Sequence, residues 1–180
     1  MNRHPLVLLL AGVLLLAGCG SAHPSERDFT VVDVMFLQMT LSLHAQGLEL
    51  TGLAGQRAVN PAVRDLAAEL DTVQRKESET MTAWLTERSQ PTTMNADPGA
   101  HAHHGGLHQT GPAEIAALKS TPDSDFDSMF LNLMTGHLHN SVELTKIELD
   151  GGDNEEATEM AARVRESRTA EISRLLALAG

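Results

Sequence analysis

The chain has 180 residues, which is enough for one domain of ordinary size and hardly for two. It contains 13 Lys and Arg against 24 Asp and Glu, and the resulting net charge of −11 disfavours binding to nucleic acid, whose phosphates it would repel. Aromatic residues make up only 3% and there is one Cys, which disfavours a sheet protein and excludes a framework of internal disulfides.

Residues 1–18 have the pattern of a secretory signal peptide. Arg3 provides a basic start, and an apolar run from Leu6 to Leu16 is interrupted only by Gly12. The run is short for a membrane-spanning helix but has the length of a signal sequence. We therefore predict that the protein is exported.

Cys19 follows Leu16-Ala17-Gly18, a sequence similar to the lipobox of bacterial lipoproteins. In such proteins the Cys is lipidated and becomes the new N-terminus. We predict that Cys19 anchors the protein to the extracytoplasmic face of the membrane, with residues 19–27 as a tether. The alternative is an ordinary signal peptide that is cleaved near Ala22.

An internal repeat with an offset of 94 residues organises the rest of the sequence. The matches keep a single ungapped register, which indicates that one supersecondary unit occurs twice. Identical pairs in this register include Asp33/Asp127, Phe36/Phe130, Leu37/Leu131, Glu49/Glu143, Leu50/Leu144, Asn60/Asn154, Ala67/Ala161, Ala68/Ala162 and Glu77/Glu171.

The first unit has the pattern of two helices. Ser25 and Asp28 form a loose capping box ahead of apolar residues at helical spacing, which continue to about Gly55. Asn60-Pro61 then provides an N-cap and a proline at the first helical position, and the second helix extends to about Arg88.

The second unit repeats this arrangement. Its first helix starts at Asp123 or Asp125 and ends near Gly151-Gly152, and its second is capped by Asp153 or Asn154. Long helices joined by short loops pack as antiparallel neighbours. We therefore predict an all-α antiparallel four-helix bundle over residues 28–180, built from two repeated hairpins.

The loop at residues 90–111, between the hairpins, is rich in His. Imidazole nitrogen suits copper, zinc and nickel, and thioether sulfur suits Cu(I), so we predict a metal site here. The alternative is a solvated linker that is rich in His. The candidate ligands in the loop are His101, His103, His104, His108 and Met94.

The predicted helices contain further candidate ligands. Met134 and His137 share a helix face and could bind one ion, whereas His139 points elsewhere and pairs with Glu143. For His44, a structural role is as plausible as metal binding. Met35 and Met39 also share a face, and this spacing favours a place in the core. His139, Glu143 and Met39 are candidates for residues that lie around the metal ligands and orient them without binding the ion.

Enzymatic chemistry finds little support in the sequence. A di-iron centre in a helical bundle needs Glu-x-x-His on two helices. The repeat-matched Glu residues are instead followed three positions later by Gly52, Thr80, Lys146 and Arg174, none of which completes that motif. No Ser or Cys lies in a recognisable nucleophile motif. We expect a protein that is not an enzyme.

The sequence resembles the DUF305 family over about residues 28–178. The matching motifs are Asp33-x-x-Phe36-x-x-Met39, His44-Ala45-Gln46-Gly47-Leu48-Glu49, Gln74-x-x-Glu77-x-x-x-Met81-x-x-Trp84-Leu85, Gly111-Pro112-Ala113-Glu114 and Phe126-Asp127-x-x-Phe130-Leu131-x-x-Met134-x-x-His137. The resemblance implies an exported, ferritin-like four-helix bundle, and some members of the family bind copper or silver through Met and His.

The sequence departs from the family pattern at the expected ligands. The family has a His-His pair in each half, whereas this chain has Leu43-His44 and His137-Leu138. The family's Met six residues later is Leu50 in the first half and Leu144 in the second. The Met-rich loop of the family is here rich in His, whose nitrogen donors favour Cu(II), Ni(II) or Zn(II).

The main functional hypothesis is therefore a copper-binding or copper-buffering lipoprotein that acts through His and Met. A structural or protein-interaction module of the cell envelope, with degenerate metal sites, is the alternative. A switch that responds to pH or metal through the loop His is a third reading.

Overall fold

The computed structural model describes residues 28–94 and 110–180, and all regular structure in these two ranges is helical. The helices are α1 (Val31–Arg57), α2 (Pro61–Glu87), α3 (Pro112–Ser120), α4 (Asp123–Gly151) and α5 (Glu155–Ala179). Within these ranges, no helix has an apolar stretch long enough to cross a membrane. The predicted signal peptide and tether, Cys19, and the loop residues His101, His103, His104 and His108 lie outside the described residues.

The helix starts follow the repeat. Asn60 caps α2 by accepting the N–H of Ala62 at 2.9 Å, and Asn154 caps α5 by accepting the N–H of Ala157 at 3.1 Å. These two caps were predicted from the sequence, with Asn154 as one of two candidates.

The predicted start of α1 was wrong. The helix begins at Val31, and its capping box is Thr30-x-x-Asp33 rather than the pair Ser25 and Asp28. Thr30 Oγ1 accepts the N–H of Asp33 at 3.3 Å, and Asp33 Oδ2 accepts the N–H of Thr30 at 2.6 Å. Both halves of a capping box are thus present five residues later than expected.

Four long helices form the predicted antiparallel bundle. Helix α1 packs against α2 and α4, and α4 packs against α5. Ion pairs connect α2 to α5, and their partners run in opposite directions along the two helices, so this pair is antiparallel as well. The pairs are Glu69–Arg174, Glu77–Arg168 and Arg88–Glu156.

The short helix α3 is attached to the end of α1 by Arg57. The guanidinium donates to the carbonyls of Leu118 and Lys119 at 3.0 and 2.9 Å, and to Asp123 Oδ1 at 2.7 Å. Carbonyls in the last turn of a helix lack partners within that helix, so Arg57 supplies them.

The bundle interior consists of two hydrophobic clusters with a polar layer between them. One cluster contains Leu66 and Phe130 and includes α3, and the other contains Phe36 and Leu85 at the opposite end. Along each long helix, polar residues occur where one cluster gives way to the other. We call these residues the central polar layer: His44, Gln74, Glu77, His137, Arg168 and Glu171.

Candidate functional site

A guanidinium lies at the middle of the central polar layer. The Arg168 side chain is 0% exposed. Its Nη1 donates to Glu171 Oε2 at 3.2 Å, its Nη2 donates to Glu77 Oε2, and Nη2 also lies 3.4 Å from His44 Nε2. Two carboxylates thus compensate the buried positive charge, which is the condition for a buried Arg to be tolerated.

Both ring nitrogens of His44 have partners. Nδ1 lies 3.0 Å from Ser78 Oγ, and Ser78 donates its own hydrogen to the Gln74 carbonyl at 2.7 Å. Ser78 therefore accepts from Nδ1–H, and the Nε2 lone pair faces the guanidinium of Arg168. Burial, then the charge of Arg168 and then that of His137 lower the pKa of His44 to about 3.

His137 has one nitrogen without a partner. The side chain is buried, and its Nδ1 lies 3.4 Å from Thr110 Oγ1. Among the described residues, Nε2 makes no hydrogen bond. Burial and the charge of Arg168 lower the pKa of His137 to about 4, so the ring is neutral at physiological pH.

Gly47 provides the space beside His137 Nε2. A Cβ at Gly47 would lie 2.8 Å from this nitrogen and 2.1 Å from Gln74 Oε1. The absence of a side chain on α1 therefore lets an imidazole from α4 and an amide from α2 approach each other. Within the described part of the chain, the polar atoms of the Gln74 amide also have no hydrogen-bond partner.

A surface cleft lies beside Thr110, near the end of the His-rich loop at residues 90–111, which we call the His-rich segment. It has a volume of about 260 Å³ and is lined by Thr110, Glu114, His137 and Asn140, among others. Thr110, the first described residue after the four His of the loop, therefore lies in this cleft beside His137.

The candidate thioether ligands pack in the hydrophobic clusters. Met134 is fully buried in the cluster that contains Phe130, and Met39 is buried in the cluster that contains Phe36, as expected for Met39. Met94 packs against the same cluster as Met39 and is partly buried. These three sulfur atoms therefore contribute to the core.

The repeat-matched carboxylates divide into two classes. Glu77 and Glu171 meet on Arg168, whereas Glu143 and its repeat partner Glu49 lie on the surface. Glu143 forms its ion pair with Lys146 at 3.6 Å, rather than the predicted pair with His139. His139 is exposed.

A metal ion does not fit the donors of the central polar layer. The His44 lone pair faces a guanidinium, whose positive charge would repel a metal cation. His137 offers one imidazole nitrogen beside a single amide. In residues 28–94 and 110–180, no group of three or more His, Cys, Asp or Glu is placed to bind a metal ion. The metal site inside the bundle that the family resemblance implied is thus not supported by these residues.

The central position of Arg168 was not foreseen from the sequence, although the repeat contains a pointer to it. The 94-residue offset aligns Arg168 with Gln74, and both precede a matched Glu by three residues. A charged residue at the position of a buried Gln, next to a repeat-matched Glu, indicates an internal ion pair.

Residues 33–179 match the family described as Domain of unknown function (DUF305). Among curated proteins, none matches this sequence.

Several solved structures share the fold. A DUF305 fragment from Deinococcus radiodurans is 28% identical, covers 84% of this chain and 97% of its own, and has a TM-score of 0.73. A DUF305 protein from Streptomyces coelicolor, described as secreted, is 23% identical over 82% of this chain and 91% of its own, with a TM-score of 0.75. CopM in its Cu(I)-bound form is 20% identical over 81% of this chain and 94% of its own, with a TM-score of 0.66.

Proposed function

The chain belongs to the DUF305 family, and from this premise we propose that it is an exported, non-enzymatic protein that binds metal, with copper as its ion. The family's function is undefined, but CopM, which has the same fold, is known in Cu(I)-bound and Cu(II)-bound forms. The secreted relative and the N-terminal signal pattern support export. Cys19 would attach the protein to the outer face of the membrane.

The His-rich segment is the proposed binding element. Its four imidazoles lie within eight residues, at His101, His103, His104 and His108. Nitrogen donors of this type favour Cu(II) and also accept zinc or nickel. The bundle interior contributes no comparable donor set among the described residues, because its sulfur atoms are packed in the core and the His44 lone pair faces Arg168.

The observation that supports this proposal best is that both ends of the segment are fixed to the bundle. On one side, Gln38 Nε2 donates to the Pro91 carbonyl at 2.7 Å, and Met94 packs against the core. On the other side, Thr110 is buried against His137. Fixed ends reduce the conformational entropy that the segment loses when its imidazoles gather around an ion.

Competition titration against a chelator of known affinity tests the proposal, with Cu(II) and, under reductant, with Cu(I). The test variant replaces the four loop His with Asn. The matched control is His139→Asn, which removes an exposed imidazole from α4. We expect the four-His variant to lose Cu(II) binding and the control to keep it. Equal binding by the parent and the four-His variant would contradict the proposal.

One observation favours a second candidate function, an interaction module of the cell envelope. Arg168 satisfies the central carboxylates without metal, so the bundle is complete as a scaffold. Cross-linking on intact cells, with and without chelator, separates the two functions. A partner that is captured equally by the parent and the four-His variant, under chelation, supports the module. Capture that requires both copper and the loop His supports the metal-binding proposal.

A further inference from the structure

Three potential metal ligands converge on the guanidinium of Arg168. His44 Nε2 lies 3.4 Å from Nη2, Glu171 Oε2 lies 3.2 Å from Nη1, and Glu77 Oε2 accepts from Nη2. One imidazole and two carboxylates are a ligand set that proteins use for zinc and related divalent cations. They come from three different helices, α1, α2 and α5, and share one partner.

The internal repeat shows which member of this group is unusual. Glu77 and Glu171 are equivalent in the two hairpins, but the residue three positions before each differs: Gln74 in the first hairpin and Arg168 in the second. Gln74 brings no charge to the layer. Among the described residues, the only positive charge in contact with both carboxylates is therefore Arg168, the side chain that the second hairpin has in place of the Gln74 amide.

With the guanidinium in place, His44, Glu77 and Glu171 are not arranged as a group that binds a metal ion. We propose that Arg168 is a built-in cation that takes the place of a divalent metal ion between these three side chains, and that a metal can bind them only when the guanidinium is removed. Two buried carboxylates need a compensating positive charge. A guanidinium that is part of the chain supplies it permanently, whereas a metal ion would exchange. The inference concerns the bundle centre alone and stands whether or not the His-rich segment binds copper.

Removing the guanidinium tests the proposal. All variants contain Asn in place of the four loop His, so that metal binding by the segment does not contribute. We expect Arg168→Ala to unfold at a lower temperature than this parent. Adding Zn²⁺ is expected to raise the Tm of Arg168→Ala most of the way back to that of the parent, with one equivalent of Zn²⁺ bound. Co²⁺ is expected to give the visible absorption of a bound ion. The parent background should show neither effect.

Two controls assign the ligands. Glu77→Gln or His44→Ala, added to Arg168→Ala, should abolish both the Tm increase and the Co²⁺ absorption. Glu143→Gln, which removes an exposed carboxylate, should leave both in place. Should Arg168→Ala fail to fold without metal, Arg168→Gln provides the same readouts, because it reproduces the residue of the first hairpin at this position.

Two outcomes would overturn the inference. One is that neither Arg168 variant binds an additional equivalent of Zn²⁺ or Co²⁺. The other is that the parent background, with Arg168 present, binds an equivalent that is lost on His44→Ala, since the site would then be open despite the guanidinium.

Discussion

Asp33 and Asp127, which the repeat makes equivalent, each cap a loop of the opposite hairpin. Asp33 Oδ1 accepts the N–H groups of residues 153 and 154 at 3.1 and 3.3 Å. Asp127 accepts those of residues 59 and 60 at 3.0 and 2.7 Å. The first helix of each hairpin thus holds the turn of the other, and this exchange sets how the two hairpins are aligned.

The two caps should differ in their contribution to stability. Asp33 is fully buried and also accepts the N–H of Thr30, whereas Asp127 is partly exposed to water. Asp127→Ala should lower the free energy of unfolding by about 1 kcal/mol, the usual value for a cap. Asp33→Ala should cost about 2–3 kcal/mol, because buried donors lose their partner and gain no water. Urea unfolding measures both values, and a larger loss for Asp127→Ala would contradict the assignment.

Glu148 introduces a pH dependence at the buried cap. It occupies the position equivalent to Ala54, is fully buried, and lies against Asp33. Burial, then the hydrogen bond with Asp33 and then its charge raise the pKa of Glu148 to about 8. The pKa of Asp33 is lowered, because hydrogen bonds from Thr30, Glu148 and Asn154 outweigh the effect of its burial. In the folded protein a proton therefore resides on Glu148 and is donated to Asp33.

Stability should fall as the pH rises towards 8. An unfolded chain releases the Glu148 proton near 4.5, the ordinary pKa of a glutamate side chain, while the folded protein retains it to about pH 8. Between these two pH values the folded state binds more protons than the unfolded chain does, so stability falls as the pH rises. Each unit of difference between the two pKa values of Glu148 corresponds to about 1.4 kcal/mol in the free energy of unfolding. Glu148→Gln keeps a donor towards Asp33 and cannot ionise. We expect this variant to be more stable than the parent at about pH 8 and similar to it at about pH 4.5.

Thermal or urea unfolding across this pH range provides the measurement. Glu143→Gln, an exposed change on the same helix, is the control and should leave the pH profile unchanged. Superimposable profiles for the parent and Glu148→Gln would show that Glu148 ionises normally in the folded protein.

Gly47 should be intolerant of a side chain, unlike its neighbour Gly52. In α1, a Cβ at Gly52 meets nothing within 4 Å, so Gly52→Ala should stabilise the helix by about 0.5–1 kcal/mol. A Cβ at Gly47 would lie 2.1 Å from the fully buried Gln74 side chain. Overpacking of this kind costs about 1–3 kcal/mol, so Gly47→Ala should be destabilising despite its better helix propensity. Equal gains from both substitutions would show that the polar layer can accommodate the methyl group.

Arg57 should control the stability of α3. Arg57→Lys keeps the charge but loses the fork that contacts several carbonyls at once. We expect a loss of about 1–2 kcal/mol and faster hydrogen exchange at Ile115 and Leu118, the buried residues of α3. Arg163→Lys is the matched control, because Arg163 forms an exposed ion pair with Glu159 at 3.4 Å and should contribute little. Unchanged exchange in α3 would contradict this role.

Local sequence patterns predicted much of the fold. Helix capping depends on neighbouring residues, so the sequence alone indicated helix starts at Asn60-Pro61 and Asn154. The internal repeat predicted the two hairpins. The start of α1 was misplaced, because Ser25-x-x-Asp28 satisfies the spacing of a capping box, as does the true box at Thr30 and Asp33. Spacing alone does not distinguish two such candidates.

The central polar layer was less predictable, because its contacts join distant parts of the chain. Arg168 meets His44 across 124 positions of sequence and Glu77 across 91. Arg168 lies in a helix rich in charged residues, where an Arg ordinarily faces water. Likewise, Met134 and His137 share a face as predicted, but the position of Met134 among buried apolar residues depends on the helices packed around it.

We propose that metal binds to the His-rich segment and that Arg168 excludes it from the bundle centre. NMR of protein with ¹⁵N-labelled His, titrated with Cu(I) under reductant or with Zn²⁺, tests this most directly. We expect the imidazole resonances of His101, His103, His104 and His108 to shift with metal, while those of His44 stay at their metal-free positions. Metal-dependent shifts of His44, with the four loop resonances unchanged, would contradict it.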